Sequence, residues 1–113
     1  MKVAIIGSRE FDDYELLCKS LEKVKDKITL IISGGARGAD SLAERFALEN
    51  NIPIRIFKPD WDRKGKIAGI LRNQDIVNNC DVVIAFWNYT SKGTEHALNY
   101  ADTIGKPIKI IKI

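Results

Sequence analysis

The chain has 113 residues, 45% of them hydrophobic, and a formal net charge of +3 at pH 7. That length fits one domain over residues 1–113 with a single core, foldable without metal or disulfide staples. The mild positive balance permits an anionic ligand but lacks the dense Lys/Arg cluster of a DNA-binding arm, and no apolar run approaches the roughly 20 residues that span a bilayer.

In chain order, Val3–Ile6 is the first β-branched run. It is followed by Gly7-Ser8-Arg9-Glu10 and then by a helical pattern over Tyr14–Val24, with Leu16, Leu17, Leu21 and Val24 on one stripe. Ile28–Ile32 is the second strand, leading into Ser33-Gly34-Gly35-Ala36-Arg37-Gly38-Ala39-Asp40 and a helix over Leu42–Leu48. Ile54–Phe57 is the third, followed by a Lys58-Pro59-Asp60-Trp61 loop and a helix over Ile67–Val77. Val82–Phe86 is the fourth, followed by Trp87-Asn88-Tyr89-Thr90, Ser91-Lys92-Gly93-Thr94 and a helix over Glu95–Ile104 that Gly105-Lys106-Pro107 stops. Ile108–Ile111 closes the series. The runs are continuous rather than alternating, as strands buried on both faces require. Strands alternating with helices predict a Rossmann-like three-layer α/β domain, a mainly parallel five-stranded sheet with helices on both faces.

Cys18 and Cys80 sit far apart in apolar contexts and read as reduced thiols. One histidine and no Cys-x-x-Cys argue against a zinc site, so no metal is expected. With no signal peptide visible, the expectation is a soluble cytoplasmic protein.

In open α/β sheets, ligands bind outside the carboxyl ends of the strands, where strand order reverses. The loops at that end carry the glycines, cations, hydroxyls and aromatics; the turns at Asp26-Lys27, Asn50-Asn51 and Asn79-Asp81 are ordinary connectors. Ser33 to Asp40 has the form of an anion cradle: glycines admit close approach, amides point at the anion and the helix dipole favours negative charge. Arg37 adds a guanidinium suited to bidentate grip, and Arg9 follows the sharp turn at Gly7-Ser8. Asp40 suits either a helix cap or a ribose hydroxyl. Lys92-Gly93-Thr94 forms a second cradle, where Thr94 caps a helix or bonds a phosphate oxygen. Trp61, Trp87 and Tyr89 are candidates for stacking on a base or for packing. Arg72-Asn73 reads either as a helix surface with Arg72 paired to Asp75, or as part of the site. Glu95, His96 and Asp40 are the candidate catalytic groups, with His96 as acid or base.

Gly7-Ser8-Arg9, Ser33 to Asp40, Arg72-Asn73, Ala85-Phe86-Trp87 and Ser91-Lys92-Gly93-Thr94 together resemble the SLOG superfamily, the Smf/DprA and LOG proteins, in its YspA/cpYpsA-related branch of small proteins. The resemblance implies a Rossmann-like domain that binds a mononucleotide, an ADP-ribose or NAD-derived compound, or a cyclic nucleotide. It implies a sensor or sequestering role in bacterial or phage conflict systems, and a homodimer or higher oligomer. No cofactor beyond that nucleotide-type ligand is implied. A LOG-like phosphoribohydrolase or N-glycosidase is one alternative. Here Gly93-Thr94 matches the LOG Gly-Thr pair, but the position of the LOG catalytic glutamate holds Ala97. DprA-like DNA binding is the other alternative. Ser33 to Asp40 matches the DprA segment, but Glu44 stands where that family has histidine, and DNA is not the expected partner.

Overall fold

Valine and isoleucine dominate the strands because branched side chains pack well on a pleated surface buried from both sides. The strands are β1 (Lys2–Gly7), β2 (Leu30–Ser33), β3 (Ile54–Ile56), β4 (Val82–Trp87) and β5 (Ile108–Lys112), and the helices are α1 (Tyr14–Leu21), α2 (Ala39–Glu49), α3 (Trp61–Lys64), α4 (Ala68–Asn78) and α5 (Lys92–Thr103). The computed structural model describes residues 1–113. Every pairing is parallel and the strand order is β3-β2-β1-β4-β5. Order therefore reverses between β1 and β4, where Gly7 lies opposite Phe86.

Alternate residues of the strands feed two cores. Val3, Ile5, Ile31, Ile84 and Phe86 face α1 and α2, meeting Leu17, Leu21, Ala43 and Phe46. Phe86 also stacks on Phe11, with ring centroids 5.0 Å apart. Ala4, Ile6, Ile32, Val83 and Ala85 face α4 and α5, meeting Ile76, Val77, Ala97, Leu98 and Ala101. The three-layer α/β architecture is thus the one the sequence predicts. No helix is long and apolar enough to cross a membrane. Cys18 and Cys80 are unpaired.

The element bounds differ from expectation at specific places. β2 starts at Leu30, because Ile28 closes a tight turn by donating its amide to Lys25. α1 ends at Leu21, and Val24 folds back onto the Leu21 carbonyl. α2 starts at Ala39 and α5 at Lys92, each three residues before the start read from the sequence, Leu42 and Glu95. Residues 61–64, expected in a loop, form the single turn α3, capped by Asp60 accepting from the Arg63 amide at 3.2 Å.

Candidate functional site

The carboxyl ends of β1 and β4 and the start of α2 are drawn together by Ser8, which is fully buried. Its amide donates to the Phe86 carbonyl at 3.0 Å, and its carbonyl accepts from the amides of Phe11 and Ala39, each at 3.2 Å. Its hydroxyl accepts from the Asn88 amide at 3.3 Å. Glycine is obligatory beside this knot. A Cβ on Gly38 would lie 2.4 Å from the Ser8 carbonyl oxygen, and the Gly38 φ of +78° is one that L side chains avoid.

Two confluent clefts open around this point. The first, about 400 Å³, lies between β1 and β4 at the reversal of strand order and is walled by Gly7, Arg9, Asp40, Arg72, Asn73 and the Asn88–Thr94 loop. The second, about 590 Å³, is walled by Gly34, Gly35, Arg37, Lys58, Pro59 and Trp61. They share Arg9, Ala36 and Arg72.

The glycine turn spends much of its donor capacity on itself. Ser33 is buried, and its Oγ accepts from the Gly35 amide at 3.4 Å. The Ala36 amide donates to Asp40 Oδ2 at 3.1 Å. Asp40 thus sits in the first turn of α2, at the electropositive helix end, without occupying the cap position, which is Gly38. Burial raises the Asp40 pKa to about 6, although the Ala36 amide and the Arg72 guanidinium both pull it down.

Arg72 does not pair with Asp75. From α4 its Nη1 donates to the Gly34 carbonyl at 2.7 Å and to the Phe57 carbonyl at 3.4 Å, while its Nε donates to Asn73 Oδ1 at 3.0 Å. Asn73 Nδ2 in turn donates to the Gly93 carbonyl at 3.3 Å. Burial lowers the Arg72 pKa; the carboxylate of Asp40 opposes that shift and the like charge of Arg9 adds to it. One chain of polar contacts therefore joins the glycine turn, α4 and the start of α5.

At that start, the amides of Lys92, Gly93 and Thr94 find no acceptor in the chain. Thr94 is buried and shares a 3.0 Å hydrogen bond with the Ser91 hydroxyl rather than capping the helix. A Cβ on Gly93 would meet open space. The amides of Thr90 and Ser91 both donate to Asn88 Oδ1, which shapes the preceding loop.

Trp87 lines neither cleft. Its ring stacks on Tyr89 at 4.5 Å and its Nε1 donates to the Ser91 carbonyl at 3.1 Å, so it braces the loop from outside. Arg37 stands on the rim of the second cleft, highly exposed and 3.8 Å from Glu10. Glu95 and His96 line neither cleft; Glu95 faces Lys92 at 3.8 Å, and the His96 Nδ1 is buried without a partner. Ala97 does line the first cleft, where the LOG resemblance would have a carboxylate. No group of three or more His, Cys, Asp or Glu side chains gathers as metal ligands.

A larger hollow, about 800 Å³, lies between α1 and α2. Tyr14 and Glu49 on its wall already engage each other: Tyr14 donates to Glu49 at 2.8 Å, and the neighbouring Arg45 bonds Glu49 at 3.1 Å and covers the Tyr14 ring. It also lies away from the strand ends that carry the free donors.

Fold and site together define a doubly wound α/β domain with a cation- and amide-lined cleft at its topological switch point. The chain belongs to the YspA, cpYpsA-related SLOG family (YAcAr), whose family model matches residues 1–64. It is 34% identical over 117 residues to the Gene 61 protein of Mycobacterium phage D29, across 95% of this chain and 93% of that one. Among solved structures it is similar to DNA processing protein A (DprA) from Streptococcus pneumoniae, with a TM-score of 0.83, 22% identity and 99% of this chain covered. It is also similar to DprA from Helicobacter pylori, a structure concerned with that protein's single-stranded DNA binding, with a TM-score of 0.75, 23% identity and 97% coverage. This chain spans 50% and 64% of those two chains. These likenesses are likenesses of fold.

Proposed function

We propose that the protein binds a nucleotide or nucleotide-derived small molecule in the cleft between β1 and β4, as a sensor or sequestering protein. One observation carries the reading: three unengaged amides at the start of α5 and the guanidinium of Arg9 border the same cleft at the switch point. Free amides at a helix start favour an anion, and arginine matches phosphate geometry. The phosphate belongs at the α5 end rather than at the start of α2, because Asp40 already holds the Ala36 amide there. Mass spectrometry of small molecules released from the purified protein, followed by calorimetry with the compound found, tests the reading. A protein that releases no phosphorylated compound and binds none of a nucleotide panel would refute it.

A second reading, hydrolysis of the bound nucleotide at its glycosidic or phosphoester bond, is favoured by Asp40. A cleft carboxyl with a pKa of about 6 is suited to proton transfer near neutral pH. Product release from a nucleotide panel, lost in Asp40→Asn, supports it; no turnover by the wild type removes it. DNA is a third reading, favoured by the row of cations Arg9, Arg37 and Lys58 on the second cleft. A gel shift at low salt, where phosphate-driven binding is strongest, decides it.

A further inference from the structure

We propose that the ligand straddles both clefts, with its base stacked on Trp61 and its phosphate chain running from the Arg9–Arg72 ridge between them to the start of α5. This placement rests on the nucleotide reading above and assigns its base-recognition residue.

The other aromatics near the site are occupied. Trp87 and Tyr89 stack on each other, and the Phe57 ring lies under the Arg55 guanidinium at 4.6 Å. Trp61 has no such partner, and 56% of its surface is exposed. An indole left in water is a large apolar surface for which the fold has found no cover. It is nevertheless held in place. Its helix is capped by Asp60, and its ring tip reaches over α4 at Gly69, where an added Cβ would stand 3.4 Å from Trp61 Cη2. The exposed indole borders the second cleft together with Gly34 and Gly35, whose lack of side chains leaves room there. A planar base can stack on an exposed indole at the edge of such a cleft, since any base offers a π-face.

The shared residues give the phosphate its position. Arg9 makes no ion pair, and its charge lies close enough to Arg72 to depress that group's pKa. Two like charges held beside each other are relieved by an anion placed between them. A base in one cleft and further anionic groups in the other meet at that ridge. The ligand class is therefore a nucleoside phosphate whose phosphate end continues toward α5, a nucleoside diphosphate or its ester.

The test is calorimetry on wild type, Trp61→Ala and Trp61→Phe with four nucleoside diphosphates and with ribose 5-phosphate, which has no base. Trp61→Ala should weaken the best-bound nucleoside diphosphate on the order of ten- to hundred-fold, and Trp61→Phe should restore much of that loss. Ribose 5-phosphate should bind wild type and both variants alike. Unchanged nucleotide affinity in Trp61→Ala overturns the placement and leaves the nucleotide reading standing. Equal weakening of both probes also overturns it, since Trp61 would then be shaping the cleft. Wild type that binds neither probe overturns both claims.

Discussion

Arg72 Nη1 donates to the carbonyl of Gly34 at 2.7 Å, across 38 positions of sequence. The two residues explain each other. Gly34 is buried, so its carbonyl needs a donor, and a Cβ on Gly34 would lie 2.6 Å from that same nitrogen. The guanidinium thus ties α4 to the glycine turn and keeps a charge on the wall of both clefts.

Replacing Arg72 should separate these two roles. Arg72→Met keeps most of the apolar stem but leaves the Gly34 carbonyl without its partner. Chemical denaturation should report a loss of about 1–3 kcal/mol, the cost of an orphaned buried acceptor. Binding of a nucleoside phosphate should fall as well, and a variant with unchanged stability and affinity would show that the contact carries neither role.

Arg9 and Arg37 should behave differently from Arg72 and from each other. Arg9 borders both clefts, whereas Arg37 stands on the outer rim of one. Arg9→Ala should cost roughly 1.5–3 kcal/mol of binding, the scale of a charged hydrogen bond, with an unchanged melting temperature. Arg37→Ala should cost measurably less in the same titration. The reverse order would move the phosphate from the shared ridge to the rim.

Asp40 makes stability depend on pH in an unusual direction. Its folded pKa of about 6 is above the ordinary aspartate value of 3.8, so the folded state holds the proton more tightly. The associated stabilisation is complete below about pH 4 and is lost as pH rises through about 6. Asp40→Asn keeps an acceptor for the Ala36 amide and removes the titration. Its melting temperature should exceed that of wild type at pH 7, by on the order of 1–3 kcal/mol in stability, and match it near pH 4. Parallel melting curves across that range would remove the buried carboxylate from the account.

Two glycines give opposite outcomes under one change. Gly38→Ala adds a methyl against the Ser8 and Arg9 backbone at a positive φ, and should abolish cooperative unfolding. Gly93→Ala adds one facing open space inside α5, and should stabilise by up to about 1 kcal/mol through helix propensity. If the α5 amides hold an anion, that methyl should still weaken ligand binding. A Gly93→Ala protein that binds as wild type would move the anion elsewhere.

The architecture was legible because continuous apolar runs and intervening helical stripes are local patterns. Ile5 and Ile31, read as strand residues, are fully buried in the core against α1 and α2. The clustering of Gly7, Arg9, Asp40 and Lys92 around one cleft follows from the strand-end rule, whereas Asn73, inside α4, is suggested by the family resemblance. What sequence could not supply was pairing at a distance. Asp75 was the visible neighbour of Arg72, and nothing in the periodicity of α4 distinguishes it from Gly34. The roles of the aromatics were equally hidden. Trp87 follows a strand, which suggests a ligand contact, yet Tyr89 lies close enough to stack on it. Trp61 gave one faint signal: Asp60 before it is a residue that begins helices, and a helix fixes its ring.

Ser8 carries a consequence for how variants of this protein should be read. It holds the ends of β1 and β4 and the start of α2 through backbone and hydroxyl together, yet no part of it is exposed. A bulkier residue there would push the walls of the pocket apart from behind, like a displaced keystone. Such a protein would register in a screen as deaf to its ligand. The lesion would be architectural, and a search for contacts among screened variants would credit position 8 with a touch it never makes.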